Sequence, residues 1–345
     1  MGHHIPKKSQ QPKKNALPRG SQSKGKQPTG KTQGRTKRID NKRVTTRRVG
    51  DFIRATAKRL RQNKVCLENG MQTPQWEAEY LIAHILDLPV DKLDYHRHKP
   101  VDAPSAARIE TLLDLRINEH IPAAYLTKEA YFAGHRFFVD ERVLIPRSRI
   151  ENILDDEDGF PGLMNGKPIE HILDLATGSG CLAISLALAF PSARVVGSDI
   201  SEGALAVAKI NRKKHHLEKR LTLVHSNLFH SLATECYDLI VTNPPYVPNA
   251  VVDNLPPEYR KEPDLALRAG DDGLSLVTPL LKAAPDHLTP GGLLVCEVGD
   301  EQEETMKERW PDFPGYWLPF HFGASGVFAI HRETLQNWVN DHELG

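Results

Sequence analysis

Ile172-Leu173-Asp174-Leu175-Ala176-Thr177-Gly178-Ser179-Gly180 is the stretch on which the reading of the fold turns. Its first four residues are a short apolar run holding one acid, as expected of a parallel strand buried on both faces. Gly178 and Gly180 then allow a tight turn and a close approach of backbone to ligand. The helical run Cys181–Phe190 follows. Downstream the alternation continues. Ala193–Ile200 reads as a second strand ending at Asp199, and Ala204–His216 as a helix. Leu221–Ser226, Tyr237–Thr242 and Leu293–Val298 read as further strands, with Gly291-Gly292 turning into the last. Tyr316–Phe322 and Val327–His331 complete seven. Strands separated by helices predict an α/β fold with a seven-stranded doubly wound sheet over residues 151–345.

Upstream the period changes. Asp51–Asn63, Thr73–Leu88 and Ser105–Asn118 repeat apolar residues at helical spacing. Thr73 is the expected N-cap of the second, with Pro74 in its first turn. Trp76, Tyr80, Ile82, Ile85 and Leu86 are its expected apolar face, and Ile109, Leu112, Leu113, Leu115 and Ile117 that of the third. A small helical domain at 51–125 is the result. Residues 126–150 read as a hairpin linker: Tyr131–Val139 alternates around Gly134, and Pro146 ends the segment before it.

The chain has 345 residues and a net charge of +1, which conceals two unlike parts. Residues 1–50 hold 15 Lys and Arg against one acid, Asp40, and no aromatic residue. Residues 51–345 hold 30 Lys and Arg against 43 acids. With so little to bury, residues 1–50 are expected to be a disordered basic tail on an acidic body. The tail suits RNA phosphates, although a merely solubilising tail has the same composition. Four cysteines lie far apart without a C-x-x-C pair, which fits neither a disulfide framework nor a cysteine-rich zinc site. No apolar run is long enough for a membrane span, no secretory segment opens the chain, and a reducing cytoplasm is the expected compartment. His135, His225 and His230 share no metal-ligand spacing, and no metal is expected.

Three features fall at strand ends, where doubly wound sheets bind ligands. The first is the loop Ala176–Gly180, with Asp174 placed to hold its amides or a ligand's amino group. The second is Asp199, 21 residues after Gly178, suited to a ribose, although an acid there also caps a helix. These two leave a nicotinamide dinucleotide and S-adenosylmethionine both open. The third, Asn243-Pro244-Pro245-Tyr246, comes directly after the strand Tyr237–Thr242. Paired prolines fix a rigid turn with few donors. The Asn243 side-chain oxygen and the Pro244 carbonyl are left as acceptors for one planar –NH₂ group, with Tyr246 over its flat face. That points to methyl transfer onto a conjugated nitrogen by positioning and electrostatics.

Together these motifs resemble the class I S-adenosylmethionine-dependent methyltransferases that modify planar amino nitrogens. With the helical part, Ile121–Thr127 and Leu144-Ile145-Pro146-Arg147-Ser148, the chain is similar to the protein-(glutamine-N5) methyltransferases. The Arg-Ser after Ile-Pro resembles the branch acting on large-subunit ribosomal protein three (uL3), as do Leu255–Pro263 and Gly270–Leu274. The release-factor branch usually has Arg-Pro-Glu/Asp-Thr at that place. The likeness covers about residues 51–335.

The resemblance implies a fold, a cofactor and roles. S-adenosylmethionine, leaving as S-adenosylhomocysteine, is expected against Asp174, Ala176, Thr177, Gly178, Ser179, Gly180, Asp199, Asn227 and Leu228, with Phe138 closing over it. Asn243, Pro244 and Tyr246 are the expected catalytic residues; with Pro245 they hold the target amide. Two departures stand out: Ala176 where many relatives have glycine, and Asn227 where an acid is common. Arg147 and Arg260 are candidates for binding substrate backbone or carboxylates, and Glu297 receives no role. The expected substrate is uL3, with ribosomal RNA contacted through the basic tail. A release-factor glutamine methyltransferase shares every catalytic residue. An adenine-N6 nucleic-acid methyltransferase would need a target-recognition domain and a basic cleft. A non-catalytic ribosome-assembly binder would not need Asn243–Tyr246 and Asp199 intact. Deleting residues 1–50 is expected to preserve methylation of an isolated protein while RNA affinity falls and its salt dependence flattens; an unchanged salt slope in filter binding would refute the tail's RNA role.

Overall fold

A computed structural model describes residues 47–67, 71–156, 158–232, 236–319 and 326–342. The expectation of a disordered tail falls on residues 1–46, which lie outside the described residues, except at its last four positions. There the structure corrects it. Helix α1 (Val49–Gln62) begins inside the expected tail, because the Arg48 N–H donates to Asp51 Oδ2 at 2.9 Å and Val49 is buried. The Val49 and Gly50 N–H groups also donate to Lys99 and Arg97 carbonyls at 3.0 Å. Basic composition hid this start. A clean truncation therefore stops at residue 46.

Helix α2 (Pro74–Ile85) opens as expected on Thr73, whose hydroxyl accepts from the Trp76 N–H at 3.1 Å. A 3₁₀ turn at Val90–His96, α3 (Ala103–Asn118) and α4 (Ala123–Thr127) complete the helical part. Phe52, Ile53, Ile82, Ile109 and Leu113 form its core. Trp76 and Leu115, expected on apolar faces, are instead exposed, at 41% and 38%. At the base of this part Arg116 is wholly buried. Its Nε donates to Glu77 Oε1 at 2.7 Å, Nη1 to Glu258 Oε1 at 3.1 Å, and Nη2 to the Cys66 carbonyl at 2.6 Å. Glu258 also accepts from the Cys66 N–H at 3.0 Å. Since Glu258 belongs to the carboxyl-terminal half, this cluster fastens the helical part to the rest.

The linker forms strands β1 (Ala130–Phe132) and β2 (His135–Phe137) around an Ala133-Gly134 turn in which both residues have positive φ. Two short helices, α5 (Glu151–Leu154) and α6 (Gly159–Leu163), lead into the sheet. Its first half runs β3 (His171–Leu175), α7 (Cys181–Ala189), β4 (Arg194–Asp199), α8 (Glu202–Lys214), β5 (Leu221–His225) and β6 (Tyr237–Thr242). Its second half runs α9 (Asn249–Val252), α10 (Val277–His287), β7 (Leu288–Glu297), α11 (Asp300–Arg309), β8 (Tyr316–Trp317), β9 (Val327–His331) and α12 (Arg332–Asp341). The order is β5-β4-β3-β6-β7-β9-β8, parallel from β5 through β7, with β9 antiparallel to both of its neighbours, β7 and β8. The order in which strands are added reverses between β3 and β6. Alternate residues separate the core into two layers: Ile172, Leu239 and Val295 pack with α7, while Leu173, Ile240 and Leu294 pack with α10 and α12. Gly291-Gly292 does not turn into β7 but lies within it, beside an irregularity in the β6–β7 register. The expected strand Tyr316–Phe322 is described only as far as residue 319.

Replacing Arg116 by Leu strands Glu77 and Glu258 as buried, uncompensated carboxylates. A loss of about 3–5 kcal/mol in denaturant-induced unfolding is expected. Adding Glu77→Gln and Glu258→Gln should recover most of it. A single variant as stable as the parent would show that the cluster does not hold the two parts together.

Candidate active site

The carboxyl ends of β3 and β6 lie side by side at the point where strand order reverses, the place where such sheets form a ligand crevice. The Thr242 hydroxyl donates to the Leu175 carbonyl at 2.8 Å and ties the two ends together. Beyond β3 the chain bends back through Ala176, Gly178 and Gly180, all with positive φ. Ala176 is therefore held where an L-residue costs roughly 1–2 kcal/mol, which explains why glycine suits that position. At Gly180 a Cβ would lie 3.2 Å from that of Ala208, so the loop packs directly on α8.

Asp174 organises this turn. Its Oδ2 accepts from Thr177 Oγ1 at 2.5 Å and from the Ala183 N–H at 2.9 Å. Its Oδ1 is buried and has no hydrogen-bond partner among the described residues. Burial pushes the carboxyl up to about 7, against the pull of those two hydrogen bonds. Asp199, at the end of β4, accepts from the Gly178 N–H with Oδ2 and from the Ser201 N–H with Oδ1, each at 2.8 Å. Burial raises this carboxyl as well. The loop is braced from behind by Asn211 of α8. Its Oδ1 accepts from the Phe138 N–H at 2.7 Å, and its Nδ2 donates to the Phe138 and Ser179 carbonyls at 2.9 Å.

After β6, Asn243 lines the cleft, and its Oδ1 is a second buried acceptor without a partner among the described residues. Pro244 and Pro245 offer no N–H beside it. The downstream chain holds this loop in place: Val247 exchanges backbone hydrogen bonds with Leu267 and Ala269 at 2.9 Å. At Gly273, φ is +79° and a Cβ would lie 2.3 Å from the Tyr246 carbonyl oxygen, so no larger residue fits. Two buried carboxylates fasten the linker opposite. Glu262 accepts from the Ile145 N–H at 3.0 Å and from Arg147 Nη1 at 2.8 Å. Glu297 accepts from Ser148 Oγ at 2.5 Å and the Arg149 N–H at 2.8 Å, and Tyr246 Oη stands 3.5 Å from its other oxygen. Desolvation raises the Glu297 carboxyl. These walls line an open cleft.

The Methyltransferase small domain family matches residues 163–255, and the PrmC N-terminal domain family matches residues 53–127. The chain is 43% identical to a ribosomal protein uL3 glutamine methyltransferase of Bordetella pertussis over 296 residues, covering 86% of this chain and 99% of that protein. The chain belongs to the ribosomal protein uL3 glutamine methyltransferase family. A family member from Bradyrhizobium diazoefficiens is 43% identical over 293 residues, covering 83% of this chain and 91% of that protein. Among solved structures, a ribosomal protein L11 methylase from Lactobacillus delbrueckii subsp. bulgaricus is 19% identical, with a TM-score of 0.35, over 49% of this chain and 74% of that one. That likeness is too slight to bear on fold or chemistry.

Most residues expected at the family's site meet at this cleft. Ala176, Thr177, Gly178 and Ser179 line it from β3, Asp199 from β4, Asn227 and Leu228 from beyond β5, and Asn243, Pro244 and Pro245 from beyond β6. Asp174 and Gly180 stand behind that wall and shape it. Two residues are placed otherwise. Phe138 does not line the cleft; it packs against the cluster of Tyr125, Val139, Val143 and Ile145, with its backbone clasped by Asn211. Tyr246 is also off the wall, with its hydroxyl turned toward Glu297. Arg147 lines the cleft tied to Glu262, whereas Arg260 is a surface residue near the Asp253 carbonyl. Sequence reasoning misses Asn211, Glu262 and Glu297. Asn211 had a signal: it falls on the buried stripe Ala204, Val207, Ala208, where an apolar residue belongs. Among the described residues, no three His, Cys, Asp or Glu side chains could hold a metal, and no helix is long and apolar enough to cross a membrane.

The raised carboxyl of Asp174 has a pH consequence. Its folded value of about 7 exceeds the ordinary 3.8, so the folded chain holds the proton more tightly than the unfolded one. The stability it contributes is complete below pH 4 and is lost as the pH rises to 7 and beyond. Asp174→Asn, which cannot titrate, should flatten the stability–pH curve of the ligand-free protein over that window by on the order of 4 kcal/mol. Parallel curves for parent and variant in urea titrations would contradict it.

Proposed function

We propose that the cleft binds S-adenosylmethionine along the β3–β4 edge and a glutamine side chain at Asn243, and that the protein methylates the side-chain amide nitrogen (N5) of a glutamine in ribosomal protein uL3. Support comes from one observation above all: at the switch point Asn243 presents a buried acceptor with no partner among the described residues. The 43% identity to family members named for that reaction gives the substrate.

The residues present fit the cofactor. The unpartnered Oδ1 of Asp174 is a place for an amino group, whose positive charge would offset the burial of this acid. The positive-φ loop Ala176–Gly180 offers open backbone to the methionine portion. Asp199 is placed for ribose hydroxyls, and Asn227 and Leu228 for the adenine. S-adenosylmethionine supplies an electrophilic methyl group on sulfur and leaves as S-adenosylhomocysteine.

The chain's own residues solve the remaining problem, which is that an amide nitrogen shares its lone pair with its carbonyl. Asn243 Oδ1 and the Pro244 carbonyl accept the two N–H groups of the target. This raises electron density on nitrogen and fixes the direction of its lone pair. The proline pair keeps both acceptors rigid, so little reorganisation is needed on reaction. A nitrogen–carbon bond forms as the carbon–sulfur bond breaks, and the nitrogen then gives up one proton. An amide so alkylated is strongly acidic, so water at the open mouth suffices as acceptor, and among the described residues no histidine lines the cleft. Tyr246 acts as a positioning residue, anchored toward Glu297, rather than as a lid on the amide. The acidic body suits a basic protein substrate, since opposite charge speeds encounter. We assign the reaction to the cytoplasm, and the basic tail to contact with ribosomal RNA.

Asn243→Ala should lower turnover more than about 100-fold while cofactor affinity stays within a few-fold, because the lost contacts are to the target amide. Label transfer from tritiated S-adenosylmethionine to uL3, a release factor and adenine-containing RNA, run in parallel, checks both the residue and the substrate. Label on a single uL3 glutamine is expected. Label on the release factor or RNA instead would overturn the reading.

A further inference from the structure

The far end of α8 and the β1–β2 hairpin gather cations that the cleft does not use. From residue 209 to 220 the chain carries six Lys and Arg and two His against one acid, Glu218, on a body that is otherwise acidic. Lys209, Lys213, Lys214 and Lys219 are exposed, and none of them forms an ion pair among the described residues. The hairpin adds Arg136, half exposed, with Glu129 at 3.4 Å as its counter-charge. The two elements are locked together: His215 Nε2 lies 3.1 Å from the Arg136 carbonyl, and its ring packs 5.1 Å from that of Phe137. The Lys214 ammonium is pushed below its ordinary value, first by partial burial and then by repulsion from Arg136. Lys214 and Arg136 are thus held close, with Glu129 between them as a partial counter-charge. The helix dipole favours Lys213 and Lys214 in the last turn, but it does not reach Lys219 or the hairpin.

A second feature says what such a surface suits. Tyr131 of β1 sits directly opposite Arg136 in the hairpin register and is 54% exposed. A solvent-facing aromatic ring beside a lysine-rich surface offers a base a stacking platform, here with the Arg136–Glu129 pair at its edge. We propose that this surface binds a single-stranded segment of RNA, with phosphates on Lys213, Lys214 and Lys219 and a base on Tyr131. A protein-docking site of this size would bring several apolar anchors, whereas Tyr131 and Ile210 are the only large exposed apolar side chains among the described residues of these elements.

The position is favourable for an enzyme whose target is presented with RNA. Ser201 and Ala204, at the start of α8, touch the cleft, and α8 has 13 residues. The cations at its other end therefore lie about 20 Å along the helix from the end that touches the cleft. RNA can occupy this surface without entering the cleft. The inference stands apart from the identity of the methylated protein.

The test uses the full chain and a fluorescein-labelled single-stranded RNA, with affinity followed against salt. The variant Lys213→Gln/Lys214→Gln/Lys219→Gln should lower the slope of log affinity against log salt by about 2. Tyr131→Ala should weaken binding roughly 5- to 100-fold, and Tyr131→Phe should restore it. Label transfer to isolated uL3 should be unchanged in all of them, which separates failure here from failure of the proposed reaction. A control triple, Lys58→Gln/Lys92→Gln/Lys282→Gln, removes equal charge from other exposed sites and should change the slope less. Equal losses in the two triples would mean net charge alone is at work and would overturn the proposal. So would parental affinity in Tyr131→Ala, or competition by polyglutamate as effective as by RNA, which would indicate an acidic protein partner.

Discussion

One buried carboxylate holds the catalytic end of this protein in shape. Asp174 closes β3 and spends one oxygen on the turn, accepting from Thr177 and from the first residues of α7. That oxygen fixes the left-handed path from Ala176 to Gly180 against the start of the helix. The loop in turn gives Asp199 an N–H to hold and gives Asn211 a carbonyl to brace. The other oxygen has no partner among the described residues, and a buried acceptor in that condition is costly. The protein tolerates the cost at the place where a cationic ligand group would relieve it. Asn243 repeats the arrangement one strand away, as a buried amide oxygen without a hydrogen-bond partner among the described residues.

The rest of the architecture brings distant segments to those two atoms. Glu262 and Glu297 fasten the linker at Ile145, Arg147, Ser148 and Arg149, so the wall opposite Asn243 is set by carboxylates more than a hundred residues away in sequence. Because each acid accepts hydrogen bonds from backbone as well as side chain, the wall is positioned rather than merely covered. Steric exclusion does similar work at Gly273, where the Tyr246 carbonyl leaves no room for a Cβ.

How far the sequence revealed this depends on whether the signal was local. β6 and the helix cap at Thr73 are legible because period and capping chemistry reside in adjacent residues. The place of Asn243 in the cleft was readable for the same reason: two prolines after a strand constrain their own neighbourhood. The expected lid at Phe138 was not realised, because an aromatic near a site reads the same whether it faces ligand or core. The start of α1 was masked by basic composition, although the cap from Asp51 to Arg48 is only three residues long. Gly291-Gly292 reads as a turn from sequence, and pairing with β6 turns it into part of a strand. Glu258, Glu262 and Glu297 were opaque, since nothing beside them in the chain hints at a partner so remote.

The Arg116 cluster joins α2, α3 and a segment lying just beyond the Asn-Pro-Pro-Tyr loop. Three charges share one dry space there, and none can change sign or vanish without stranding another. Their fates in evolution are therefore bound together. A helical part transplanted from a distant relative would arrive with an arginine fitted to someone else's glutamate. Exchanging the amino-terminal helices without the stretch around Glu258 would strand a buried carboxylate, so two regions far apart in sequence behave as one electrostatic unit.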